Sequence, residues 1–200
     1  MSINREIIRL AIPSILASVT IPLVGIVDTA IVGHIADASA IGGIAIGTML
    51  FDLLYWNFGF LRVGTGGLTA QAFGRSENGE SSEEIADILT RSSAISIGGG
   101  VFIWFLQAVF YALVMHFVPC SDTVRGFVHA YFFIRIWAAP ATLWLMTFKG
   151  FFIGMQDTLS SMLVDITVNV VNILCSIYFS LYTTKGAVGV AYGTLVAQYI

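Results

Sequence analysis

Charged side chains are scarce in this chain of 200 residues. Asp, Glu, Lys and Arg make up 10% of it, whereas a soluble domain carries about 25%. The net charge of −3 is also small, and it gives no indication of a nucleic-acid partner. Apolar residues make up 57% of the chain. These proportions exclude an ordinary soluble domain and predict an integral membrane protein that has the lipid bilayer as its surroundings.

Cysteine and histidine are equally few. The two cysteines, Cys120 and Cys175, do not have the spacing of a disulfide framework or of a metal site. The three histidines, His34, His116 and His129, lie near the expected membrane edges and form no ligand cluster. The sequence also shows no nucleophile–base pair. A membrane enzyme is therefore the least favoured class, and we expect neither a metal nor a cofactor.

Long apolar runs predict an all-α architecture. The run from Leu10 to Val27 has eighteen residues without a charge, about the length that crosses a bilayer core of ~30 Å. The expected helices span 7–35, 40–73, 85–118, 123–148, 159–182 and 186–200. The last has fifteen residues when the sequence stops, which gives only ~22 Å of helix. We therefore expect the chain to be the N-terminal part of a longer transmembrane protein.

Polar segments separate these runs. The clearest is 74–84, where Ser81 or Ser82 is expected to cap the next helix; the other expected links are 36–39, 119–122, 149–160 and 183–185. Five basic residues fall on one side of the membrane and two on the other, which places the richer side in the cytoplasm. They are Arg5, Arg9, Arg75, Arg91 and Lys149 against Arg125 and Lys185. We expect a multi-pass protein of the plasma (inner) membrane with a cytoplasmic N-terminus.

Asp28 is the most informative residue of the first expected helix. A carboxylate inside a spanning helix costs roughly 2.5–3.5 kcal/mol on insertion scales, so its presence indicates a role. Pro13 and Pro22 interrupt the same helix and allow it to bend. A bendable helix with a buried acid predicts a moving part coupled to an ion. The alternative is an acid that pairs structurally with a basic residue on a neighbouring helix.

Four polar residues share one face of the fifth expected helix. Asp165, Asn169, Asn172 and Ser176 have offsets of 0, 4, 7 and 11, which fall within a narrow arc at helical periodicity. Such a stripe faces either other helices or a water-filled cavity. For any single Asn, hydrogen bonding between helices is at least as good an interpretation. Four positions on one face favour a cavity, and Gln198 is a further candidate for its lining.

Part of this stripe is expected at the same depth in the membrane as Asp28. Counted from the outer ends of their helices, Asp28, Asn172, Ser176 and Thr194 all lie roughly 9–15 Å below the outer surface. We expect them to meet at one level. A poorly hydrated carboxylate there favours its neutral form, so it is suited to bind and release a proton. Three other charged residues, Asp52, Arg62 and Arg135, are expected to neutralise one another.

Three segments carry a resemblance to a known family. They are Pro22–His34, Leu61–Gly74 and Gly154–Thr158. Together they resemble the MATE (multidrug and toxic compound extrusion) transporters, in particular the DinF-like branch. The resemblance implies twelve helices in two lobes, of which this chain is most of the N-terminal lobe. It also implies export of cationic or amphipathic drugs driven by a proton gradient, with sodium as a possible coupling ion, and a C-terminal lobe as partner.

The resemblance also implies roles for single residues. Asp28 matches the family's acid of the first helix, and Pro13 matches the proline about which that helix bends. Asn172 and Thr194 match residues of the same pocket. Ser176 stands where the family has a second acid, so a mechanism that requires two acids is in doubt for this chain.

These observations predict a proton-coupled multidrug antiporter with Asp28 as its protonation site. Asn172, Ser176 and Thr194 are expected to line the coupling pocket, and Pro13 to act as the hinge. Asn169, Asp165 and Gln198 are the further cavity-lining candidates. One alternative is a flippase of lipid-linked sugars from the same superfamily, which a large cationic cavity would favour. Another is a membrane scaffold without transport, in which the buried polar residues only join helices.

Overall fold

The computed structural model describes residues 3–35, 38–77 and 83–200. These residues form helices and contain no β-strand, so the all-α prediction is confirmed. The helices are α1 (Ile3–Ile35), α2 (Ala38–Trp56), α3 (Gly59–Glu77), α4 (Glu83–Phe117), α5 (Asp122–Arg135), α6 (Ala139–Gly154), α7 (Thr158–Leu181) and α8 (Gly189–Tyr199). Short 3-10 turns, Ile136–Ala138 and Gly186–Val188, precede α6 and α8.

Five helical segments of the described chain are long and apolar enough to cross a membrane. They are Ala11–Ile35, Ala38–Ser76, Glu83–Phe117, Asp122–Gly154 and Thr158–Leu181. Much of their apolar surface faces outward, as a protein dissolved in lipid requires. On α4, for example, Phe105 is 81% exposed. The apolar runs of the sequence therefore predict the spans well, while the breaks inside and between them differ from expectation.

The helix expected over 40–73 is wrong in its continuity. It divides into α2 and α3 at Asn57 and Phe58. The Asn57 side chain donates to the Leu53 carbonyl at 2.8 Å, and the Phe58 N–H donates to Tyr55 at 2.9 Å, three residues back. The local pattern thus leaves the i−4 register of an α-helix, as Asn side chains that compete for the backbone often cause.

The ends of this region also differ from the prediction. α2 already begins at Ala38, inside the expected link, and α3 continues to Glu77, inside the expected 74–84 loop. The predicted cap at Ser81 or Ser82 lies outside the described residues. Arg75 pairs with Glu84 at 2.6 Å and so connects the end of α3 to the start of α4.

The helix expected over 123–148 is interrupted as well. α5 and α6 are separated by the 3-10 turn Ile136–Ala138, just before Pro140. Proline has no N–H to donate to the carbonyl four residues earlier, which here is Ile136. That carbonyl accepts instead from the Ala139 N–H and, at 3.1 Å, from the indole N–H of Trp104 on α4. A side chain of α4 thus replaces the helical hydrogen bond that Pro140 cannot make.

The link expected over 149–160 is mostly wrong, because α6 continues through it to Gly154. Two glycines within the expected link, Gly150 and Gly154, are contact points with α3. A methyl group on Gly154 would lie 2.6 Å from the Gly66 carbonyl oxygen, and one on Gly150 would meet the Arg62 carbonyl. The actual connection is Met155 to Asp157, and Asp157 caps α7 by accepting the Ser160 N–H at 3.1 Å.

Candidate functional site

A cavity of about 590 Å³ opens between α1, α2, α5, α7 and α8. This volume is within the range of small-molecule sites. Apolar residues such as Val24, Ile44 and Val168 form part of its wall. Its polar and charged lining residues are Asp28, Thr29, Thr48, Asp52, Tyr131, Arg135, Asn169, Asn172, Thr194 and Gln198.

A close contact between α7 and α8 builds one side of the cavity. A methyl group on Gly193 would lie 2.6 Å from the Ser176 backbone nitrogen, so only glycine allows this approach. It brings Asn172 within reach of Thr194, to whose hydroxyl it donates at 3.0 Å. The Ser176 hydroxyl donates to Asn172 Oδ1 at 3.2 Å. The three side chains are buried and form a connected chain of hydrogen bonds.

Asp28 reaches this chain from α1. Its carboxylate lies beside the Ser176 hydroxyl, and its Oδ1 is buried without a hydrogen-bond partner among the described residues. A serine hydroxyl carries one proton, which Ser176 already gives to Asn172. The buried oxygen of the Asp28 carboxylate therefore lacks a donor.

The structure thus brings together the four residues that depth counting placed at one level: Asp28, Asn172, Ser176 and Thr194. Of the three further residues that were expected to line the cavity, two do so and one does not. Asn169 donates to Thr20 on α1 at 2.6 Å, and Gln198 accepts from Thr142 at 3.3 Å; both line the cavity.

Asp165 lies elsewhere. It is not among the residues that line the cavity, and it forms an ion pair with Lys149 of α6. The polar stripe of α7 therefore serves more than one purpose: Asp165 joins α7 to α6, whereas Asn169 and Asn172 line the cavity. Ser176 was expected to line the cavity too, but its side chain is fully buried, is not part of the lining and contacts Asp28 and Asn172 instead. Pro13, the expected hinge, lies inside a continuous α1, fifteen residues or ~22 Å from Asp28.

The expected pairing of Asp52, Arg62 and Arg135 is wrong. No ion pair joins them in the described part of the chain. Arg62 is exposed on α3, while Asp52 and Arg135 both line the cavity. The sequence does contain a signal for these two lining residues. Thr48 lies four residues before Asp52, and Tyr131 lies four residues before Arg135, so each pair shares one face of its helix.

Metal ligands are not grouped in this structure. Over 3–35, 38–77 and 83–200, no three His, Cys, Asp or Glu residues are placed to hold a metal ion. What the cavity offers is carboxylates, amides, hydroxyls and one guanidinium. These groups can bind protons, cations and polar parts of small molecules.

Comparison with known proteins gives consistent matches. The family model described as MatE matches residues 13–178. DNA damage-inducible protein F of Escherichia coli (strain K12) is 30% identical over 198 residues, which are 99% of this chain and 42% of that protein. The chain therefore spans less than half the length of this curated relative.

Solved structures share the fold. A MOP superfamily transporter from Pyrococcus furiosus, described as having a binding pocket of reverse polarity, superposes with a TM-score of 0.85 at 19% identity, over 97% of this chain and 42% of that one. A multidrug resistance MATE family transporter in an outward-facing conformation gives a TM-score of 0.85 at 21% identity, over the same shares.

Proposed function

This chain belongs to the MatE family, as its sequence motifs predicted, and on that premise we propose that it forms one lobe of a secondary active antiporter. The antiporter exports cationic or amphipathic small molecules in exchange for protons across the plasma (inner) membrane. Asp28 is the protonation site, Asn172, Ser176 and Thr194 form its pocket, and Pro13 allows α1 to bend. The second lobe completes the transport path.

The observation that carries the proposal is the position of Asp28. An acid on a helix with two prolines contacts a buried hydrogen-bond chain at the wall of a cavity large enough for a small molecule. An ionised carboxylate with a buried, unpartnered oxygen is costly in such surroundings. A protonated Asp28 instead has an O–H group, which can donate a hydrogen bond to the Ser176 oxygen. Proton binding would thus change the contact between α1 and α7.

The same residues favour a proton over sodium. A bound Na⁺ needs several oxygen ligands and is helped by more than one negative charge, by analogy with other hard cations. The cluster of Asp28, Asn172, Ser176 and Thr194 contains a single carboxylate. The flippase alternative is less well supported, because two carboxylates, Asp28 and Asp52, stand against one guanidinium in the cavity, which is not cationic as that alternative requires.

The test is export from proteoliposomes that contain the intact protein. We expect an imposed pH gradient, without a sodium gradient, to drive export of a cationic dye. Asp28→Asn removes the proton site at nearly constant shape, so it should insert normally and lose gradient-driven export. Asp87→Asn, an exposed acid on α4 that pairs with Arg91, is the matched control and should transport normally.

Two results would contradict the proposal. One is export driven by sodium alone, and the other is full activity of Asp28→Asn. Absence of export under either gradient by a folded, correctly inserted protein would favour the scaffold alternative.

A further inference from the structure

Arg135 is the only guanidinium among the described residues that line the cavity, and the proposed proton coupling gives it no role. Its NH1 donates to the Tyr131 hydroxyl at 2.6 Å, and its Cζ lies 4.7 Å from the centre of the Phe51 ring. Tyr131 and Phe51 are 2% and 0% exposed. Packing of these two aromatic residues therefore holds the guanidinium in a fixed position at the wall.

The charge of Arg135 has no local counter-ion. No carboxylate of the described chain is within ion-pair distance of it, and Asp28 acts on it only from farther away. A guanidinium has five N–H donors in a planar fork. Tyr131 accepts one and Phe51 covers one face, so donors along the edge remain for a ligand. That fork fits a carboxylate in two-pronged geometry better than an ammonium group does.

The two carboxylates of the cavity favour a positively charged group instead. Asp28 and Asp52 attract a cation and accept hydrogen bonds. Ser176 connects Asp28 to Asn172, because it lies beside the Asp28 carboxylate and donates to Asn172. A ligand with a cation alone would satisfy the acids but would approach a fixed positive charge where electrostatic forces are strong. A ligand with both kinds of group satisfies both parts of the wall.

We propose that this cavity selects zwitterionic amphipathic molecules, whose carboxylate binds the edge of Arg135 while their cationic or donor end faces Asp28. The inference rests on the proposed transport function, since it names the substrate class of the same cavity. Arg135 is then a specificity-determining residue that touches the ligand, and Tyr131 and Phe51 position it.

The probes are two fluorescent xanthene dyes of nearly equal size. One is a cationic xanthene that carries a free benzoic acid, and the other is the methyl ester of the same dye. The two differ in a single carboxylate. Binding to the intact protein in nanodiscs of zwitterionic lipid is measured by fluorescence anisotropy, without any ion gradient. We expect the acid to bind about tenfold more tightly than the ester, as one charge-assisted hydrogen bond would provide.

Variants test whether Arg135 causes the tighter binding of the acid. Arg135→Gln should weaken binding of the acid by about tenfold and leave the ester unchanged or bound more tightly. Arg135→Lys keeps the charge but not the fork, so it should restore part of the preference. Arg62→Gln is the matched control, because Arg62 is also a membrane-helix arginine but does not line the cavity; it should leave both affinities unchanged.

Wild-type protein that binds the ester as tightly as the acid overturns the proposal without need of any variant. Equal weakening of both dyes by Arg135→Gln also overturns it, because a structural role would have that effect. If added phosphatidylglycerol abolishes the preference for the acid, the guanidinium belongs to a lipid headgroup and the proposal fails. Since binding is read without a gradient, failure of proton-driven export is a separate result from failure of this selectivity.

Discussion

The hydrogen bond from Trp104 to the Ile136 carbonyl shows how one residue supports a break in a membrane helix. In lipid there is no water to satisfy a backbone group that a proline leaves free. Pro140 deprives the Ile136 carbonyl of its usual helical donor, and the Ala139 N–H and, from α4 at 3.1 Å, the indole N–H of Trp104 donate to it instead. The Trp104 ring also packs against Trp137 in the turn itself, with centroids 5.0 Å apart. The break at Pro140 and the position of α4 are therefore linked.

Replacing Trp104 by Phe tests this link. An aromatic ring remains, though a smaller one, and the donor is lost, so we expect the protein to be less stable by about 1 kcal/mol, the usual cost of an unmade hydrogen bond. Thermal unfolding in detergent, followed by thiol labelling of the partly buried Cys175, measures the change. Trp144→Phe is the control, because Trp144 is 42% exposed and packs against Phe148. An equal loss in both variants would mean that ring size, not the N–H, matters.

Residues of the cavity differed in how far they could be predicted. Asp28, Asn172, Ser176 and Thr194 were found because helical spacing and depth depend only on position along the chain. Arg135 was misinterpreted, because a charge in an apolar helix was assumed to need a carboxylate. Its hydroxyl partner, Tyr131, lies four residues before it on the same helix, whereas the Phe51 ring comes from α2, and only packing brings that ring to the guanidinium.

At the scale of helices, glycine was the ambiguous signal. The same residue type ends a helix in a turn or allows two helices to approach closely. Gly150 and Gly154 were assigned to a loop, yet both lie inside α6 at its contact with α3. The spans themselves were predicted well, because their length and hydropathy are local properties. The breaks at Asn57 and Pro140 depend on side-chain hydrogen bonds and tertiary contacts that a linear pattern does not contain.

The contact between α3 and α6 gives a prediction at this scale. Gly154→Ala would place a methyl group 2.6 Å from the Gly66 carbonyl oxygen and 2.7 Å from Thr69 Cβ. Since both neighbours are held by their helices, we expect a destabilisation of about 1–3 kcal/mol, as for other overpacked contacts.

Gly64→Ala is the matched control for that change, because Gly64 has open space around its position on α3. It should be neutral or stabilise the helix by up to ~1 kcal/mol. Unfolding midpoints of the two variants and the unchanged protein, measured in the same detergent, decide the matter. A Gly154→Ala protein as stable as Gly64→Ala would show that α3 and α6 adjust freely.

The whole molecule places apolar side chains outside and many polar ones within. Trp56 and Phe105 are 83% and 81% exposed, whereas Thr69, Ser96 and Thr147 are 0% exposed. Ser96 and Thr147 hydrogen-bond each other between α4 and α6. In a bilayer this arrangement keeps polar groups inside the bundle and presents hydrocarbon to lipid. The cavity is the place where these interior polar groups remain available to a ligand.

Orientation in the membrane is the remaining property of the whole molecule that the sequence predicts. The basic residues on the side of Arg75 and Lys149 outnumber those on the side of Arg125 and Lys185, so the segment 75–84 is expected in the cytoplasm and the segment 119–122 outside. In a background without Cys120 and Cys175, an impermeant maleimide applied to intact cells should label Pro119→Cys. It should label Glu84→Cys only after permeabilisation. Labelling of Glu84→Cys from outside would contradict this orientation and place the segment 75–84 outside the cell.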